Sequence, residues 1–263
     1  MTIHISRIED LVSRLEKRTQ THKRSLIAIA GIPGAGKSTL VERLAQELIQ
    51  RDITCKVFPQ DGYHYYREQL AEFKDPEEAF RRRGAPFTFD SDRFIGDIEK
   101  VRDGQNIWVP LFDHSKKDPV EHSIEIPSDT QVILVEGNYV GLDDEPWAKT
   151  KNLCDELWFL DTDHDLVRER IIKRHVSSGV ARSVEEATER ALGLDWQNAL
   201  YVLHHTRIPD VVIRSYFKRG AKAHNDMVNK LHGNRRIRGR QKGEVVNIGK
   251  KRAAQPEVLC KRV

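Results

Sequence analysis

Eight residues, GIPGAGKS at positions 31–38, fit the pattern G-x-x-x-x-G-K-[ST], a spacing that suits phosphate chemistry. Glycines let the backbone curl so that N–H groups from Gly31, Gly34, Ala35, Gly36 and Thr39 can turn inward toward phosphate oxygens, at the positive end of a following helix. Lys37 adds a point charge for the β- and γ-phosphates, and the Ser38 hydroxyl is placed to hold Mg²⁺. A bare glycine turn would need neither the apolar run LIAIA before the loop nor the helical STLVERLAQELIQ after it. The second chemical residue is Asp61. The strand-like TCKVFPQ runs straight into it, and a carboxylate at the C-terminal end of a strand near the phosphate loop could accept the proton of an attacking alcohol. An Asp61–Gly62 turn with no chemical role is the alternative.

Two large nucleotide-binding classes fit poorly. A guanine-reading N-K-x-D is missing, since the Asn229–Lys230 pair continues with Leu231 and His232. The strand VILVEG ends in the single acid Glu136, without the second carboxylate that primes water in hydrolysing motors. Transfer to an acceptor is therefore expected ahead of hydrolysis.

The elements that must position these residues follow from periodicity. Short apolar runs at 26–30, 131–137, 156–161 and 210–213, with TCKVFPQ and NIWVPLF, read as strands. Helical spacing appears at 94–101, 165–175, 184–192 and 196–205, and Ile5, Ile8, Val12 and Leu15 suggest an amphipathic helix over 3–19. Strands alternating with helices imply an α/β fold: a three-layer phosphate-loop nucleotide-binding architecture with a mostly parallel central sheet flanked by helices. The expected organisation is an N-terminal helix in 1–24, a catalytic domain in 25–217 and a tail in 218–263.

That tail carries 14 Lys/Arg against 3 Asp/Glu, so the formal charge of +4 conceals an acidic body and a basic, aromatic-poor extension. It reads as disordered, and nucleic acid is expected as a partner only through it. With 38% hydrophobic residues, no apolar run of membrane-spanning length and three scattered cysteines, the chain reads as cytoplasmic, a nuclear location being left open by the tail. The oligomeric state is not legible.

Taken together, GIPGAGKST, QDGYH, RRRGAPFTFD, PLFDHSKKDP, VEGNYVGLDDEPW and FLDTDHDLVRERIIKRHVSSG resemble the kinase family of uridine kinase, phosphoribulokinase and bacterial pantothenate kinase. RRGAP-x-TFD and EGNY are most similar to its bacterial and fungal kinase-like branch. The resemblance spans roughly 25–215 and implies ATP, Mg²⁺ and a small hydroxylated acceptor. It implies that Asp61 orients the acceptor hydroxyl and that Glu136 completes the metal site with Ser38. Asp113 and His114 match an acceptor-binding stretch in which Phe112 replaces the usual Tyr, unless they merely form a turn. Arg170 and Arg174, four residues apart, would share a helix face of a helical lid over about 168–195 and match the charge of the moving phosphoryl group; a salt-bridged surface helix is the alternative. The loop 177–183 around Gly179 would move. The Arg81–Arg83 cluster could grip an anionic or polyhydroxylated acceptor, with Arg83 as the contact and a solvated charge run as the alternative for Arg81 and Arg82; His64 and Tyr139 would line the acceptor pocket, and Asn198 has no assigned role. The expected activity is phosphoryl transfer from ATP to a nucleoside, pantothenate-like or sugar-like hydroxyl. The rival is a catalytically idle nucleotide-binding regulator whose basic tail engages nucleic acid.

Overall fold

The computed structural model describes residues 2–214 of the chain. In chain order they form β1 (Ile3–Ile5), α1 (Ile8–Thr19), β2 (Ser25–Ala30), α2 (Lys37–Ile49), β3 (Cys55–Pro59), α3 (Arg67–Ala71), α4 (Pro76–Arg81) and α5 (Ser91–Arg102). There follow β4 (Ile107–Asp113), β5 (Asp118–Ile126), β6 (Val132–Gly137), α6 (Thr150–Leu153), β7 (Glu156–Asp161), α7 (His164–Ser177), α8 (Val184–Leu192), α9 (Leu194–His205) and β8 (Val211–Arg214). Six strands make one parallel sheet in the order β1-β8-β7-β2-β6-β3. Every residue of β2 and β6 is buried, which is why these strands read as unbroken runs and not as alternating ones. The phosphate-loop strand β2 lies between β6 and β7, so the loop, the end of β6 and the start of α7 meet at the C-terminal ends of these parallel strands.

Helices cover both faces. Leu11, Val12 and Leu15 of α1, and Val41, Leu44 and Leu48 of α2, are buried, and removing any one of the leucines by an Ala substitution should cost about 2–5 kcal/mol. At the opposite end of the strands from the phosphate loop, Arg14 and Arg18 donate to the Glu156 carboxylate at 2.8 and 2.9 Å and the Trp158 indole donates to it at 2.7 Å. A buried carboxylate with three donors holds α1 to the foot of β7.

The chain departs from the periodicity reading in three places. Ile5 belongs to no helix: Ile3–Ile5 pairs with Val211–Ile213, and Ile3 N–H donates to Asp210 C=O at 2.9 Å. An edge strand gains ladder bonds that one extra helical turn would not, and residues 1–24 therefore contribute a strand to the central sheet. NIWVPLF does not enter that sheet. It pairs antiparallel with β5, a strand that periodicity had not suggested, and the register shifts between Val109 and Leu111. Pro110, which has no N–H to give a ladder, occupies that irregularity. The short helices α3 and α4 were also unforeseen.

Buried Cys55 and Cys154 are free, and burial pushes both thiols up to about 12. Among the described residues no helix is long and apolar enough to cross a membrane. The basic tail and Cys260 lie outside the described residues.

Candidate active site

The phosphate loop is fixed from the neighbouring strand and helix. The Ala35 carbonyl accepts from Thr162 Oγ1 at 3.0 Å and from Arg170 at 3.1 Å, which ties the loop to the end of β7 and to α7. Gly34 has φ +80°, and a Cβ there would stand 2.7 Å from Ile171 of α7, so only glycine allows both the curl and the helix contact. Gly36 caps α2, and Lys37, Ser38 and Thr39 form its first turn.

Lys37 is buried, and its ammonium donates to Gly31 C=O at 3.0 Å, Ile32 C=O at 3.2 Å and Asn138 Oδ1 at 2.6 Å. Desolvation depresses its pKa, against the attraction of Glu136 and Asp61. Ser38 Oγ donates to Glu136 Oε1 at 3.2 Å. The other carboxylate oxygen, Oε2, is buried without a hydrogen-bond partner. Burial raises the Glu136 pKa to about 7, helped by the negative Asp61 and opposed by Lys37. A carboxylate oxygen without a partner next to a hydroxyl is what an oxygen-seeking divalent cation needs. No group of three or more His, Cys, Asp or Glu that could hold a metal ion is present among the described residues.

Asp61 sits in the 3₁₀ turn Gln60–Tyr63 at the end of β3, and its charge is felt at Lys37, Glu136, His64 and Tyr139. The pair makes a turn, and that turn stands at the C-terminal end of β3, the strand beside β6. Gly62 is required because β4 crosses it, with Pro110 C=O only 2.1 Å from where a Cβ would be. The His64 ring packs 3.9 Å from Phe89 and 4.8 Å from Phe112, and its Nδ1 lies 2.8 Å from the Asp61 carbonyl. A carbonyl can only accept, so Nδ1 carries the proton and Nε2 is the acceptor of the neutral ring. Burial depresses the His64 pKa and favours that neutral form.

Four residues expected at the acceptor pocket have partners within the protein. Arg83 donates to Asp118 at 2.7 Å, to Tyr65 C=O at 2.9 Å and to Lys117 C=O, which fastens the 81–90 segment to the β4–β5 hairpin, while its Nε is buried without a partner. Arg81 pairs with Glu78, whereas Arg82 lies over the Phe87 ring and has no carboxylate partner among the described residues. Tyr139 is fully buried and its hydroxyl donates to Gly84 C=O at 2.5 Å, which makes it a strut between two loops. Asp113 Oδ1 accepts from the N–H and hydroxyl of Ser115 and from Lys116 N–H, an arrangement that holds its carboxyl down at about 2 and closes the hairpin turn. His114 is exposed beside Phe112 at that hairpin end.

On α7, Arg174 is exposed, and its positive charge acts on Lys37. Arg168 stacks 4.4 Å from Trp196 and pairs with Asp165 at 2.6 Å. His175 Nε2 donates to Asp195 at 2.6 Å, joining α7 to α9, and Asn198 is buried on α9. Asn138 and Gln60 were missed in the sequence, although both are polar residues just past or at the ends of buried strands next to the phosphate loop, where such residues reach the mouth of the sheet.

A glycine loop with its lysine, a hydroxyl beside an unpaired carboxylate oxygen and an acid across the mouth together define a P-loop kinase. The model of the phosphoribulokinase / uridine kinase family matches residues 26–214. The chain therefore belongs to that family. It is 35% identical over 215 residues to a Schizosaccharomyces pombe protein named "Putative uridine kinase C227.14", covering 80% of this chain and 91% of that one. It is 32% identical over 194 residues to Escherichia coli YggC, covering 73% and 78% of the two chains. A Silicibacter crystal structure described as a "putative fructose transport system kinase" superposes with TM-score 0.72 at 27% identity, over 79% of this chain and 99% of that one. Neither the matched family nor these relatives support the idle nucleic-acid-binding alternative.

Proposed function

We propose that the chain transfers the γ-phosphoryl group of ATP to a hydroxyl of a small metabolite. The observation that carries this reading is that Asp61 follows β3, the strand paired with β6, near enough for its charge to act on both Lys37 and Glu136. In this reading the loop from Gly31 to Thr39 and Lys37 hold the phosphates, and Ser38 and Glu136 hold Mg²⁺. The metal, when bound, neutralises charge that develops on the phosphate oxygens. Asp61 accepts the acceptor's hydroxyl proton as the oxygen attacks, and Arg170 and Arg174 answer the spread charge of the transferring group. Residues 168–195 act as the lid, with 177–183 as its moving loop. His64 presents Nε2 to a second hydroxyl of the acceptor, between the rings of Phe89 and Phe112. This arrangement suits a neutral polyhydroxylated acceptor, a class that includes nucleosides and sugars.

The test is ATP consumption over a panel of hydroxylated metabolites, with the product identified by mass. One acceptor gaining the mass of a phosphoryl group, in wild type but not in Lys37→Ala, supports the reading. ATP binding with no phosphorylated product across nucleosides, sugars, pantothenate and glycerate speaks against it.

A further inference from the structure

The three donors of the Lys37 ammonium are all in use within the protein. Two go to backbone carbonyls of the loop, Gly31 and Ile32, and the shortest of the three contacts, 2.6 Å, goes to the side chain of Asn138. An ammonium has three N–H groups and no more, so it can bind a phosphate oxygen only by giving up one of these acceptors. The two carbonyls belong to a loop that is held in place: Ile32 C=O also accepts from Ala35 N–H at 3.1 Å, and Ala35 C=O is pinned by Thr162 and Arg170.

Asn138 differs from both. Its backbone is braced on either side, by the β6 ladder up to Gly137 and by Tyr139, whose N–H donates to Gln60 Oε1 at 3.2 Å and whose hydroxyl donates to Gly84 C=O. Its side chain is only half-buried, so rotation about its own torsions can release Lys37 without moving the backbone. We infer that Asn138 is a positioning residue that holds one N–H of Lys37 and must swing away before the lysine can grip a triphosphate. Nucleotide binding is then a competition between phosphate oxygens and the Asn138 amide oxygen for one N–H of Lys37. The competition opposes binding of a poorly charged ligand more than that of a triphosphate, whose charge outweighs a neutral amide. The inference rests on the proposed phosphate role of Lys37.

The experiment is calorimetric titration of ATP, with Mg²⁺ and without acceptor, into wild type, Asn138→Leu and Asn138→Asp, each first checked for a wild-type urea transition. Leucine keeps the volume and removes the competing oxygen; aspartate keeps the shape and strengthens the competitor. The result expected is opposite shifts: about tenfold tighter ATP binding for Asn138→Leu, the scale of one hydrogen bond to a charged group, and at least tenfold weaker binding for Asn138→Asp. A role that is only structural would weaken both. Equal or weaker binding by Asn138→Leu overturns the inference while leaving the kinase reading intact, and the same holds if a misfolded Leu variant is replaced by Asn138→Ala with that outcome. Failure of the wild-type protein to bind ATP overturns the phosphate role of Lys37, and this inference with it.

Discussion

Glu136→Gln should change how the stability of the nucleotide-free protein depends on pH. Burial moves this carboxyl from 4.5 to about 7, so the native state holds its proton more tightly than the unfolded chain does. Between those two values the folded protein binds more protons, and stability must fall as pH rises. Below 4.5 both states are protonated and the full contribution is present; above about 7 both are ionised and it is gone. At 1.36 kcal/mol per pKa unit, the swing is about 3 kcal/mol, a large share of the 5–15 kcal/mol typical of a domain. Glutamine has no proton to lose, so urea unfolding of wild type and Glu136→Gln, without Mg²⁺, should diverge by about that amount between pH 4.5 and 7.5, with the mutant the more stable at the upper end. Saturating Mg²⁺-ATP should erase most of the slope in wild type by giving the ionised oxygen a partner. A difference between the two proteins that stays flat across this range would refute the claim that Glu136 is buried with an unmet oxygen.

Gly34→Ala forces a side chain into φ +80° and against Ile171, and should cost about 1–3 kcal/mol in a thermal or urea melt while weakening ATP binding. Arg174→Ala should lower turnover about 10²-fold with little change in ATP affinity, since its charge is proposed to act on the transition state; a loss of affinity with unchanged turnover would make it a ground-state clamp. Removing residues 218–263 should leave nucleotide binding intact, as titration of the shortened protein will show, because the matched family region ends at 214.

The nucleotide half of the site was legible in the sequence because its chemistry is local. A glycine loop, its lysine and its serine are contiguous, and the buried strand before them and the helix after them announce themselves by period. Asp61 and Glu136 could be found because each ends a recognisable strand. The acceptor half was less legible because its geometry depends on contacts far along the chain. The pairing of Arg83 with Asp118 is decided by the β4–β5 hairpin, 35 residues on, and its second strand carries too mixed a pattern to be read. The partners of Tyr139 and Asp113 are equally invisible in the sequence: the Tyr139 hydroxyl donates to Gly84 C=O, and Asp113 accepts from Ser115 in the hairpin turn. Ile5 shows the same limit at the other edge, where pairing with β8 overrides helical spacing.

Asp61 is the proposed base, and the most direct measurement is acceptor phosphorylation by wild type and Asp61→Asn, run side by side over the metabolite panel, with ATP affinity measured in parallel. Asparagine keeps the size and removes the carboxylate that takes the proton, so product formation should fall by about 10²–10⁴ while ATP affinity stays unchanged. Full transfer activity in Asp61→Asn on the acceptor that wild type phosphorylates would contradict the assignment and leave Asp61 and Gly62 as a turn alone.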